Sequence, residues 1–178
     1  TEYDSTIVAV NAGVTFLTDD FRVGNCPNTG ITLSRGTLAM SGGVVGTTDI
    51  VFEWKDENDQ TIGKKSYAET LDYIDSNLDK APYNYISSIT STGGCKRGVW
   101  IKSGSKFIMS GGVVAGNAGD SGLYLRGESQ ITGGLIFGNV SGWGGGISDR
   151  GTLTNITGCK IYANHATGYG GGIDAGSN

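Results

Sequence analysis

Apolar residues in this chain fall in short runs of three to five, set apart by Gly, Ser, Asn or Asp, and the runs repeat. Runs this short do not make helices, and their regularity is not that of loops. One unit opens at Gly98-Val99-Trp100-Ile101 and passes through Phe107-Ile108-Met109-Ser110-Gly111-Gly112-Val113-Val114 to Gly116-Asn117. The next opens at Gly122-Leu123-Tyr124-Leu125 and closes on Gly138-Asn139, a third runs from Gly146-Ile147 to Ala163-Asn164, and a fourth begins at Gly172-Ile173. The opening glycines lie 24, 24 and 26 residues apart, a solenoid period. Gly30-Ile31-Thr32-Leu33 with Met40-Ser41-Gly42-Gly43-Val44-Val45 matches the first half of the unit, and Ile7 to Val10 with Phe21-Arg22-Val23-Gly24-Asn25 matches more loosely. One coil cannot cover its own inward side chains, but coils stacked about 4.8 Å apart pair each strand with its equivalents above and below. The pattern therefore predicts an all-β fold, a right-handed parallel β-helix, with residues 1–178 as one domain.

The period breaks once. Residues 47–97 are an insertion, and within it Tyr67, Leu71, Ile74 and Leu78 recur at helical spacing behind a Ser66/Glu69 capping box. That predicts one amphipathic helix over about 66–80 with its apolar stripe against the solenoid flank, preceded by a strand at Ile50-Val51-Phe52-Glu53-Trp54.

Composition sharpens this picture. Glycine supplies 32 of 178 residues with only two prolines and no Gly-X-Y period, so the glycines read as corners rather than as collagen or disorder. A net charge of −4 argues against binding nucleic acid, which needs clustered cations. No run of about 20 apolar residues predicts a membrane span. The start at Thr1-Glu2-Tyr3-Asp4 suits a processed secreted protein or an excised fragment.

The motifs in Ile136 to Asn139, Ile161 to Asn164, Gly144-Gly145-Gly146-Ile147 and Gly170-Gly171-Gly172-Ile173 resemble the glycine-rich repeats of bacterial surface proteins. They are similar to those of chlamydial polymorphic membrane proteins, with their Phe-x-x-Asn and Gly-Gly-Ala-Ile hallmarks, Ile standing here for Phe. The resemblance covers residues 98–178 and part of 30–46. It implies a secreted, surface-displayed β-helix used for adhesion or as a stalk, with an extracellular or cell-surface location, and it does not imply a catalytic site.

Several constellations carry candidate chemistry. Asn25, Asn117, Asn139 and Asn164 fall at one coil position and predict a structural amide ladder. Lys102, Arg126 and Arg150 each follow an opening glycine by four, giving a cation column that is either a solvated face or a site for an anionic glycan or cell-wall polymer. Trp143 and Tyr169 precede opening glycines by three, so two rings on adjacent rungs either stack on each other or bind sugar faces. Cys26 and Cys95 share a corner of neighbouring coils and predict a disulfide closing the insertion; Cys159 reads as a buried thiol. The enzymatic alternative, a polysaccharide lyase or hydrolase, would use Asp149, Asp174 and Arg150, which form no clear pair. His165 is the lone histidine, so neither a multi-histidine metal site nor any cofactor is expected. The uncovered strands at both ends predict either head-to-tail stacking of subunits into a filament or excision from a longer repeat protein.

Overall fold

A computed structural model describes residues 6–78, 84–151 and 153–176. The chain is a parallel β-solenoid. Its first face is a six-stranded sheet of Thr6–Val10, Cys26–Leu33, Cys95–Ile101, Ser121–Leu125, Ile147–Asp149 and Ile173–Ala175. The second has five strands, Val14–Leu17, Gly36–Met40, Ser105–Met109, Glu128–Ile131 and Thr154–Ile156. The third also has five, Arg22–Val23, Val44–Gly46, Val113–Ala115, Leu135–Phe137 and Lys160–Tyr162.

Each inward column repeats one kind of residue because each coil repeats the same run. On the first face Ile31, Val99, Leu123 and Ile147 are in register and wholly buried. Leu38 and Phe107, then Met40, Met109 and Ile131, do the same on the second. Each fully buried side chain of this size contributes about 1.5–3 kcal/mol. The Ser-Gly-Gly motif makes the corner between second and third faces. A Cβ on Gly111 would stand 2.2 Å from the Ser41 carbonyl oxygen, and Gly112 and Gly134 take φ of 84° and 93°. In the last such corner Cys159 occupies the place of Gly134, and the left-handed conformation moves back one residue to Gly158.

The insertion is richer than one helix and one strand. Ile50–Lys55 is the centre of an antiparallel sheet, flanked by Thr61–Ser66 and Tyr85–Ser91. The helix Tyr67–Asp75 follows, with the Ser66/Glu69 capping box formed. It ends at Asp75, so Leu78 lies outside the stripe at 60% exposed, and residues 79 and 80 of the predicted helix fall outside the described residues. Strand alternation turns Ile50, Phe52 and Trp54 onto Ala115 and Phe137 of the third face, with Tyr67, Leu71 and Ile74 of the helix packed against the same cluster. Phe137 receives the rings of Phe52 and Tyr67 edge-on at 5.2 and 5.0 Å. Lys160 of the last coil binds Asp75 at 2.9 Å. The insertion thus braces the outside of the third face and leaves the outside of the first face uncovered.

Candidate functional site

The outer surface of the first face is set by what points away from the core. Thr32, Trp100, Tyr124, Ser148 and Asp174 stand in one register column, each the neighbour of an inward Ile, Val or Leu except at the last rung, where Ile173 is 40% exposed. Gly98 turns toward the interior, where a Cβ would meet the Asn117 amide at 2.8 Å. The residue before it, Arg97, is therefore outward. Its guanidinium lies 4.7 Å from the Trp100 ring and 4.9 Å from the Tyr124 ring and forms an ion pair with Asp120. Trp100 and Tyr124 meet edge to face at 6.3 Å.

The corner leading into the fifth strand of this face is longer than its predecessor. Ser141 pairs with Gly119 and Ile147 with Leu123, so two more residues must fit between them. They lift Trp143 outward, and Gly144, at φ 63°, folds the turn so close to Ile147 that a Cβ would sit 2.4 Å from its carbonyl oxygen. The same turn recurs one rung on and lifts Tyr169; the two rings meet edge to face at 6.2 Å. Trp143 and Tyr169 remain 59% and 73% exposed, so their contact leaves ring surface free. Between Trp143 and the sheet lies a groove of about 390 Å³ lined by Asp120, Tyr124, Ser148 and Arg150. Arg150 is held in it by Asp174, to whose carboxylate it donates at 2.5 Å.

The structure brings Trp143 and Arg150 into one groove, and Tyr169 beside it. The cation column forms: the backbone N–H groups of Lys102, Arg126 and Arg150 donate to equivalent carbonyls of Leu33, Ile101 and Leu125. Lys102 Nζ lies 4.5 Å from the Trp100 ring centre and Arg126 5.8 Å from that of Tyr124. Asp149 and Asp174 belong to opposite faces of the sheet, Asp149 in register with buried Leu125 and Asp174 with Ser148. The Asp149 carboxylate accepts from the Gly151 N–H and the Thr154 hydroxyl at 2.9 and 3.0 Å. The two carboxylates of the enzymatic alternative are thus directed apart and separately occupied. His165 is exposed in the short strand His165–Ala166, and among the described residues no three His, Cys, Asp or Glu side chains gather as metal ligands.

The ladder holds at three of the four predicted positions. The Asn139 side-chain oxygen accepts from the Asn117 backbone and amide at 3.1 and 2.9 Å, and that of Asn164 accepts from Asn139 at 3.0 and 2.9 Å. Asn25 is not in it. Counted from Val23, in register with Val45, Val114, Ile136 and Ile161, Asn25 takes the left-handed corner, φ 53°, held elsewhere by Gly116, Gly138 and Ala163. The next residue, Cys26, falls in the ladder column. Cys95 stands in the same column: its backbone N–H donates to the Asn117 side-chain oxygen at 3.2 Å, as Asn117 donates to Asn139. Cys26 and Cys95 are in register and joined as a disulfide with Cα atoms 4.4 Å apart. The bridge is a covalent extension of the asparagine ladder. Cys159 is half-buried, and desolvation pushes its thiol up to about 11.

Sequence reasoning missed Arg97, Asp120, Trp100 and Tyr124. A signal for the last two existed: the residue two places after each opening glycine is Trp100, Tyr124, Ser148 or Asp174, an outward column as regular as the cations two places later. No family model, curated protein or solved structure matches the chain. No helix among the described residues is long and apolar enough to cross a membrane.

Proposed function

We propose that this chain is an extracellular, surface-displayed β-solenoid module with a structural and adhesive role, holding glycan in the groove between Trp143 and the first face without turning it over. The observation that carries this reading is the groove itself. A largely exposed indole stands over a rigid sheet bearing Tyr124, Ser148 and two Arg–Asp pairs. Exposed ring faces stack on the apolar faces of sugars, and fixed donors and acceptors bind their hydroxyls. Binding is favoured over hydrolysis or elimination because each carboxylate near the groove is already tied to a guanidinium, while Asp149 serves the inner corner.

Affinity chromatography against a polysaccharide panel tests the reading. Retention without release of shortened product is expected, and product release would support the enzymatic alternative. Trp143→Ala with Tyr169→Ala should abolish retention with an unchanged circular dichroism spectrum, since substitutions at such exposed positions cost within about 0.5 kcal/mol. Unaltered retention would move the site elsewhere. Self-association belongs to the same proposal: Ile173, whose counterparts Ile31, Val99, Leu123 and Ile147 are wholly buried, is 40% exposed on the last described rung of the first face, an edge that a further rung can cover. Sedimentation over the micromolar range reads it out.

A further inference from the structure

We infer, building on the glycan-binding reading, that the polymer held on the first face is anionic and that Lys102 and Arg126 read its charge. Of the cations beside the outward column of this face, Arg97 is neutralised by Asp120 and Arg150, in the groove, by Asp174. Lys102 and Arg126 have no carboxylate partner among the described residues. Lys106 and Lys160 on the other two faces, by contrast, are each paired, Lys106 with Glu128 across a rung at 2.8 Å and Lys160 with Asp75 at 2.9 Å. In a chain of net charge −4, two unneutralised cations on successive rungs are a local reversal of sign. Like charges stacked one rung apart repel, and an anion lying across both relieves that repulsion.

The two cations are also held in place. Each packs over the aromatic ring two residues before it, Lys102 over Trp100 and Arg126 over Tyr124, and Arg97 fills in between the same two rings. Trp100 and Tyr124 therefore act as posts for charge, while Trp143 keeps an open face for a sugar ring. A head group fixed by a ring loses less rotamer freedom when it binds. The cation column runs along the solenoid axis at about 4.8 Å per rung, a spacing close to that of successive rings in an extended polysaccharide. A chain of acidic sugars laid along the axis brings carboxylates to the column, where a guanidinium and an ammonium supply the matching donors.

Surface-immobilised polymers in charged and neutral pairs test this: polygalacturonate with its methyl ester, and carboxymethyl-cellulose with hydroxyethyl-cellulose. The wild-type chain is expected to bind at least one acidic member about tenfold or more tightly than its neutral partner, with affinity falling as salt rises. Lys102→Gln with Arg126→Gln should remove that preference while leaving neutral binding intact, and the charge-conserving pair Lys102→Arg with Arg126→Lys should retain it even if the glutamine pair folds poorly. Equal binding of charged and neutral members, or an undiminished acidic preference in a folded glutamine variant, overturns the inference and leaves glycan binding standing. Retention of no polymer overturns both. Tighter binding to a single-stranded RNA than to either acidic polymer overturns the choice of a sugar polyanion.

Discussion

Asn139 carries more of the ladder than any other residue: its side chain makes four bonds, against three for the equally buried Asn117. Its oxygen receives two bonds from Asn117, and its amide donates to the Val114 carbonyl and to Asn164 at 3.0 and 2.9 Å. Asn139→Ala would orphan the Asn117 N–H and the Val114 carbonyl, each costing about 1–3 kcal/mol when buried. Chemical denaturation should therefore show a loss of about 3 kcal/mol or more, and Asn25→Ala, outside the ladder, a smaller one. The thiol of Cys159 gives a second residue-scale test. Its pKa is raised from 9.0 to about 11 by desolvation, so the reactive thiolate is scarce at pH 8 in the folded chain. Alkylation should be slow there, rise as the pH is taken toward 11, and become fast at pH 8 only once denaturant exposes the group. Equal rates in folded and unfolded chain at pH 8 would contradict the burial. At this scale the sequence misleads by single places. Nothing in the sequence marks Asn25 as the occupant of a glycine-like corner, and only strand register shows that Cys26, not Asn25, continues the column.

The solenoid strands are legible because each coil restates the last, so a run that is ambiguous alone is fixed by its equivalents. The insertion has no such restatement. Its helix is announced by Ser66 and Glu69, but Thr61–Ser66 contains Gly63, Lys64 and Lys65 with five of its six residues exposed, and Tyr85–Ser91 is serine-rich and mostly half-covered. Both are strands because Ile50–Lys55 lies between them to pair with, a tertiary cause that local pattern does not express. The docking of this sheet rests on Phe137. Phe137→Ala would open a cavity between Phe52 and Tyr67 and cost about 3 kcal/mol or more. Hydrogen exchange should then quicken across residues 50–55 and 85–91 while residues 121–125 stay protected; uniform loss of protection would mean that the brace and the solenoid unfold as one unit. The groove is half legible for the same reason as the strands: Trp143 and the cation column repeat, whereas the turn that lifts Trp143 outward exists only as two more residues in one corner of a coil whose total length is unchanged.

The whole molecule is a stack in which neighbouring rungs supply most of the stability, tied at one point by a bond between residues 69 apart in sequence. Closing a loop of that length lowers the entropy of the unfolded chain by an amount worth about 4 kcal/mol. Cys26→Ser with Cys95→Ser should lower the unfolding free energy by about that much, and added reductant should have no further effect on the variant. The same bond has a mechanical side. Pulled from its two ends, the chain passes force from Cys26 directly to Cys95, so everything between them, the second coil and the insertion as far as residue 94, is slack that the load never reaches. At about 3.4 Å per extended residue, some 230 Å of contour is withheld until the bridge is reduced. Single-molecule stretching should show that difference in final length between oxidised and reduced protein, with the oxidised form the short, stiff tether that a part bearing tension requires.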